Sequence, residues 1–448
     1  MTASPVRSGA LRWIGLVVVA ASACATPRAP DRLRIATGVT DRTGIDTKGL
    51  APPGREWAAP PGTSLADGLT IDEAVAIALW NNPEFQVALT ELGIARADLI
   101  EAGLLKNPVF SLLFPWGPKQ LEFTINWSID AVWQRPKRIE DARLNAEAVA
   151  ELLVGSGLRL VADVRLAFFE ALVADRRLTL ATELAGVGAQ AAKIAEGQFR
   201  AGDISQFDAR LATTDALRLE AARLTRVTAR DVARVRLRAL LGFVGPEPAM
   251  TLVEPPGALT DECGPAAVVL ESAMAARPDV RAAEMRIEAA GARAGLERAR
   301  IVAFTVSLDA NAKGAAGFEM GPGLSIELPL LSQNQGRRAR AAAELEQAAR
   351  RYIAVRTSVA AEIATAFAGL AEARATAQLL GGDVGASMAA ARQQAERLYA
   401  AGEISLVDLL QVRQRLIDIE STRVDTAFGV NRAVVRLEQA AGRRCETR

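Results

Sequence analysis

Two stretches of the chain alternate apolar and polar residues without a fault. In 120–130, Leu121, Phe123, Ile125, Trp127 and Ile129 fall on one side of an extended backbone, and Glu122, Thr124, Asn126, Ser128 and Asp130 on the other. In 304–311, Phe304, Val306, Leu308 and Ala310 alternate with Thr305, Ser307, Asp309 and Asn311. A period of two is the pattern of a strand with one apolar face. Each stretch has a companion. Val109–Phe114 precedes the first across Pro115-Trp116-Gly117-Pro118, and Leu324, Ile326 and Leu328, alternating with Gly323, Ser325 and Glu327, follow the second. These segments predict two hairpins, at 108–130 and 302–330.

Elsewhere the period is that of a helix. Leu69-Thr70-Ile71-Asp72-Glu73 opens one, with Thr70 as N-cap and Glu73 at the capping-box spacing. It is interrupted at Asn81-Asn82-Pro83 and stops at Asn107-Pro108. After Pro136 a helix runs to about Arg200, breaks at Gly202 and resumes from Ile204 to about Leu241; Val161, Val164, Phe168 and Leu172 mark its apolar seam. The stretch 137–199 would be roughly 90 Å long, which predicts a helix bundled with others in an elongated object.

The second half retraces the first. Arg277-Pro278-Asp279 echoes Asn82-Pro83-Glu84, and a helix to about Arg300 leads into the second hairpin. A long helix then starts at Gly336-Arg337-Arg338, breaks at Gly402 and resumes to about Ala441. The breaks carry one phrase twice: Ala201-Gly202-Asp203-Ile204-Ser205 with Asp208, and Ala401-Gly402-Glu403-Ile404-Ser405 with Asp408. The chain therefore divides into an N-terminal leader (1–23), an extended Pro/Gly/Arg-rich linker (24–68), repeat 1 (69–245) with its turn at 201–205, an inter-repeat segment (246–268), repeat 2 (269–442) with its turn at 401–405, and a short tail (443–448). Repeats of this kind are duplicated supersecondary units.

Composition narrows the function. The 448 residues are 50% hydrophobic but only 5% aromatic, as suits long helices, and 53 basic residues balance 52 acidic ones, which argues against a nucleic-acid surface. The absence of histidine excludes His-based triads, His metal sites and His pH switches. No catalytic residue, metal site or cofactor is expected. Arg7 and Arg12 precede an apolar run from Trp13 to Ala21 that is too short to span a membrane, and Ala21-Ser22-Ala23-Cys24 follows. This resembles a lipobox, in which Cys24 becomes the diacylated, palmitate-bearing N-terminus; an ordinary signal peptide with an incidental cysteine is the alternative. Cys263 and Cys445 have access to a disulfide-permissive compartment, but sequence leaves their pairing open.

Four amphipathic strands cannot close a membrane barrel, which needs at least eight; several chains contributing four each would satisfy every edge. Trp127 and Trp133 would suit an interfacial girdle. The duplicated layout, the Asn-Pro after the first helix, Leu328-Pro329-Leu330 before Gly336-Arg337 and the twin Gly-x-x-Ser-x-x-Asp turns together resemble the TolC-like outer-membrane efflux proteins over about 69–441. Ala102-Gly103-Leu104-Leu105-Lys106-Asn107-Pro108 is similar to their heavy-metal-exporter branch, which usually has Pro where Lys106 stands.

The resemblance implies a mainly α chain with membrane β. Three copies would form a helical barrel continuous with a 12-strand outer-membrane β-barrel, acting as exit duct of a tripartite system with a periplasmic adaptor and an inner-membrane pump of the RND type. The two turns, Gly202, Asp203, Ile204, Ser205 and Gly402, Glu403, Ile404, Ser405, are then candidates for adaptor docking. Tyr399, Asp208 and Asp408 are candidates for a gate, although Ile404 and Gln411 stand where latch residues of other members occur. Glu122, Asp130, Asp309 and Glu327 are expected to line the barrel lumen. Good turns and ordinary first-turn acids explain the same residues without partners. The alternative to a duct is a non-conducting, periplasm-spanning structural lipoprotein.

Overall fold

The computed structural model describes residues 28–46, 50, 57–64, 67–114, 116, 121–245, 250–255, 263–312, 317–381 and 383–445. The leader and Cys24 lie outside the described residues. In chain order the elements are α1 (Arg32–Thr43), α2 (Ile71–Asn81), α3 (Pro83–Gly103), β1 (Val109–Leu113), β2 (Leu121–Ser128), α4 (Asp130–Ala201), α5 (Gln206–Leu240), α6 (Ala266–Ala276), α7 (Pro278–Ala299), β3 (Phe304–Ala312), β4 (Phe318–Ile326), α8 (Gln335–Gly381), α9 (Asp383–Ala400) and α10 (Leu406–Ala441). Helix, hairpin, long helix, turn and helix thus occur twice.

The chain forms two compact units. The first holds residues 89–153 and 278–357, and with them all four strands. They make one antiparallel sheet in the order β1-β2-β3-β4, so β2 of one repeat pairs with β3 of the other. Around the sheet, Arg135 Nε donates to the carbonyl of Gly103 (2.7 Å) and Arg138 Nη2 to that of Leu104 (3.0 Å). These two guanidinium groups satisfy carbonyls that the end of α3 leaves open. Helix α4 begins at Asp130, six residues before the start expected from Pro136, which it accommodates in its second turn.

The second unit holds residues 35–88, 154–277 and 358–448. Its core contains Phe168, Phe169, Val164, Leu237, Leu241, Val434 and Leu437, all fully or nearly fully buried. Phe169 meets Phe168 edge to face and Phe428 at 6.1 Å. Ion pairs join α4 to its neighbours: Arg177 reaches both oxygens of Asp425 on α10 (2.7 and 2.6 Å), Arg234 on α5 reaches Asp175 (2.9 Å), and Arg165 pairs with Glu438 in the interior. Asn82 interrupts α2 and α3 as expected; its Oδ1 accepts from Phe85 N (2.9 Å), capping α3 with Pro83 in the first helical position.

Two expectations fail here. The segment 24–68 is not wholly extended, because α1 folds within it and buries Ile35, Ala36, Val39 and Thr43. A 12-residue helix is marginal alone, and this one is held by close packing on α4. A Cβ at Gly157 would lie 2.8 Å from Val39 Cγ2, and one at Gly38 would lie 2.9 Å from Val154 Cγ2, so both glycines permit the approach. Nor do 443–445 form a free tail. Gly442 ends α10 at φ +71, Arg444 N donates to Arg42 O (2.7 Å), and Cys445 is disulfide-bonded to Cys263 with Cα atoms 4.7 Å apart. The pairing that sequence left open is therefore made.

Candidate functional site

The two duplicated turns have the same geometry. Gly202 and Gly402 stand at φ +86 and +72, conformations that glycine adopts without steric cost. Gly202 N donates to Phe199 O and Asp203 N to Gln198 O (3.0 and 2.8 Å); Gly402 N donates to Tyr399 O and Glu403 N to Leu398 O (3.0 and 2.9 Å). This crossed pair is the Schellman arrangement that closes a helix. Two residues on, Ser205 and Ser405 cap α5 and α10 through complete capping boxes with Asp208 and Asp408. Each serine hydroxyl donates to its aspartate at 2.7 Å, and each aspartate N–H donates back to the serine oxygen (3.2 and 3.1 Å).

The gate candidates are thus already engaged locally. The Ser405 side chain, then its backbone N–H, hold the Asp408 carboxyl below the usual aspartate range. Tyr399 is a partly exposed residue at the end of α9 whose backbone closes the turn, and Phe199 occupies the same place in repeat 1. Beyond these bonds, no space around either glycine is filled: a Cβ at Gly202 or Gly402 would meet nothing within 4 Å. The surface of each turn is open.

The pairing register sorts the sheet into two faces. Directly opposed residues share a face, so the register assigns each strand position to one side. One face carries Phe110, Leu112, Leu121, Phe123, Ile125, Trp127, Phe304, Val306, Leu308, Ala310, Ala312, Phe318, Met320, Pro322, Leu324 and Ile326, with no polar side chain. The other holds the carboxylates Glu122, Asp309 and Glu319 and, among the described strand residues, no basic one; Val109 and Leu113 of β1 also fall on it. Asn311 lies between Glu122 and Glu319 in one row, and Asp309 accepts hydrogen bonds from Thr124 Oγ1 (2.9 Å) and Asn311 Nδ2 (3.0 Å). All three acids sit toward the hairpin ends of the strands, while the rows toward the helices hold Val109, Asn126, Ser307 and Gly323, then Ser128, Thr305 and Ser325.

Two of the expected lumen residues lie outside the strands proper. Asp130 is not on a strand; it is the first residue of α4, where its Oδ2 accepts from Gln134 Nε2 (3.0 Å). Glu327 lies one residue past β4, but its N–H still donates to Ala303 O, which keeps it in phase with the polar face. Glu319 was missed, because Gly321-Pro322-Gly323 hides the first half of β4. Proline is tolerated at a sheet edge, and a Cβ at Gly323 would lie 2.4 Å from Ser307 Oγ, so any side chain there would displace that hydroxyl. Alternation of Phe318 and Met320 with Glu319 was the available signal.

Comparison with known proteins agrees with this geometry. Residues 269–443 match the family model described as outer membrane efflux protein. The chain is 27% identical over 384 residues to the cobalt-zinc-cadmium resistance protein CzcC of Cupriavidus metallidurans, covering 84% of this chain and 91% of that one. Its fold resembles that of CusC (TM-score 0.67, 20% identity, 88% of this chain and 99% of the other) and of the outer membrane protein VceC of Vibrio cholerae (TM-score 0.62, 19% identity, 84% and 97%).

Proposed function

We propose that this chain is a member of the outer membrane efflux protein family and serves as the passive exit duct of a tripartite export system. Three copies would join their sheets edge to edge, β4 of one beside β1 of the next, to give twelve strands and no open edge. Lipid requires such closure, because unpaired backbone groups are costly in hydrocarbon. The single observation that carries this reading is the sorting of the sheet into a wholly apolar face and an opposite face on which, among the described strand residues, the only charges are acids. Lipid outside and water inside is the arrangement such a sheet satisfies. The palmitate-bearing anchor belongs to Cys24, and mass spectrometry of the mature N-terminus tests it.

In this reading the turns 202–205 and 402–405 meet the hairpin of a periplasmic adaptor, and Tyr399, Asp208 and Asp408 lie beside the entrance. Their openness and duplicate geometry support docking. The inner-membrane pump, of the RND type, supplies the energy, and the duct contributes a path. Metal cations are the favoured cargo: the three carboxylates on the polar face and the likeness to a cobalt-zinc-cadmium resistance protein both point that way. Conductance of the purified trimer in a planar bilayer is the test. A cation-selective current is expected, whereas inserted trimers that leave the bilayer sealed would favour the non-conducting structural lipoprotein.

A further inference from the structure

The apolar surface of the first unit does not end with the strands. β4 is followed by Leu328-Pro329-Leu330-Leu331, and the three leucines are 69%, 79% and 94% exposed. Such a run is uncommon on a water-facing loop. Leu328 stands two residues beyond Ile326, in phase with the apolar face, and Glu327 N still donates to Ala303 O, so strand pairing reaches its threshold.

The run has a defined shape. Leu330 N donates to Leu328 O at 2.8 Å across Pro329, closing a three-residue turn that suits the fixed φ of proline. Its far side is tied down: Gln333 N donates to Gln335 Oε1 (2.7 Å), and Asn334, at φ +59, donates through Nδ2 to both the carbonyl and the carboxylate of Glu297 (2.8 and 2.9 Å). Three leucines are therefore held outward by a turn with little freedom to retract them.

The same end of the sheet carries aromatic and basic groups. Trp133 packs edge to face on Phe304 at 5.3 Å, and Phe304 is paired with Ile326. Trp127 turns its Nε1 to Lys106 O (2.8 Å), with the Lys106 side chain exposed beside it, and Arg337 and Arg338 follow in the first turn of α8. Tryptophan with its polar edge satisfied and long cations near apolar surface is the chemistry of a membrane–water boundary. A seam between protein copies would instead be depleted of charge at its centre.

We infer that Leu328–Leu331 is a membrane foot, seated at the acyl–headgroup boundary of the periplasmic leaflet. The foot rests on the reading that the sheet's apolar face meets lipid. Its partner is a phospholipid surface whose anionic headgroups would lie near Lys106, Arg337 and Arg338.

The test uses the full chain in phosphatidylethanolamine–phosphatidylglycerol vesicles with brominated acyl chains. An environment-sensitive label is placed in Leu330→Cys, Met320→Cys and Ser325→Cys, with the unsubstituted chain as labelling background. Bromine near the headgroup should at least halve emission from position 330 and act there more strongly than bromine near the chain end. Position 320 should show the reverse order, and position 325 on the polar face should respond to neither. Quenching at 320 without quenching at 330 overturns the foot while leaving the strand reading intact. Absence of quenching at both overturns the strand reading. A label at 330 shielded from aqueous iodide yet blind to bromine would assign the leucines to a neighbouring copy, and would also overturn the foot.

Discussion

Removing the Cys263–Cys445 disulfide by Cys263→Ser with Cys445→Ser should be the largest conservative loss available in the second unit. The bond closes a loop with a sequence separation of 182 residues. The chain-entropy relation for a loop of that size gives about 17–18 cal/mol/K, or about 5 kcal/mol at 25 °C. The folded contacts at the site should survive: Cys445 N donates to Glu438 Oε1, and Glu438 pairs with Arg165, so the end of α10 has other ties. The effect should therefore appear as a more permissive unfolded state. For a cooperative unit of this size, 5 kcal/mol corresponds to a fall of about 10–20 °C in Tm. Circular dichroism of detergent-solubilised protein, oxidised, reduced with dithiothreitol and doubly substituted, measures it. Reduced wild type and the double variant should coincide. A shift below about 2 °C in both would refute the reasoning, and would mean that the unfolded chain is constrained without the bond.

Four further outcomes follow from particular residues. Gly402→Trp should abolish export while trimers persist, since the position has open space and a non-glycine residue there adds only about 1–2 kcal/mol of backbone strain; unchanged export would remove the turn from the mechanism. Combined Glu122→Gln, Asp309→Asn and Glu319→Gln substitutions should bring the cation-to-anion permeability ratio of the purified channel toward one, and a retained ratio would place selectivity elsewhere. Phe169→Ala, at a fully buried site against Phe168 and Phe428, should cost about 3–5 kcal/mol by thermal denaturation. The carboxyl of Asp408 is held below its usual range, so its stabilising contribution is present above that range and is lost as pH falls through the lowered value. Amide exchange at the start of α10, corrected for its intrinsic pH dependence, should accordingly show constant protection from pH 7 to 5 and lose it only below about pH 4; loss already at pH 5 would contradict the cap.

Much of the architecture was legible because its signals are local. Thr70, Ser205 and Ser405 cap helices where their spacing to Glu73, Asp208 and Asp408 predicts. The turns at Gly202 and Gly402 need positive φ, which the sequence announces by glycine. The strand β4 was half hidden because an edge strand tolerates proline and glycine, and Glu319 was lost with it. Asp130 was misplaced because alternation continues past the point where the chain turns into α4. Helix α1 carried too little intrinsic stability to be read, since close packing on α4 holds it.

The sequence alone determined the periods: which segments are strands or helices, which side of each strand is apolar, and that the plan is written twice. Those follow from backbone geometry acting over a few residues. Tertiary structure decided what is non-local. It set the pairing of β2 with β3 across 185 residues of chain between Thr124 and Asp309, the joining of Cys263 to Cys445, and the grouping of Glu122, Asp309 and Glu319 on one face. Register between distant strands depends on how side chains pack once the chain has closed, and no local pattern contains that information.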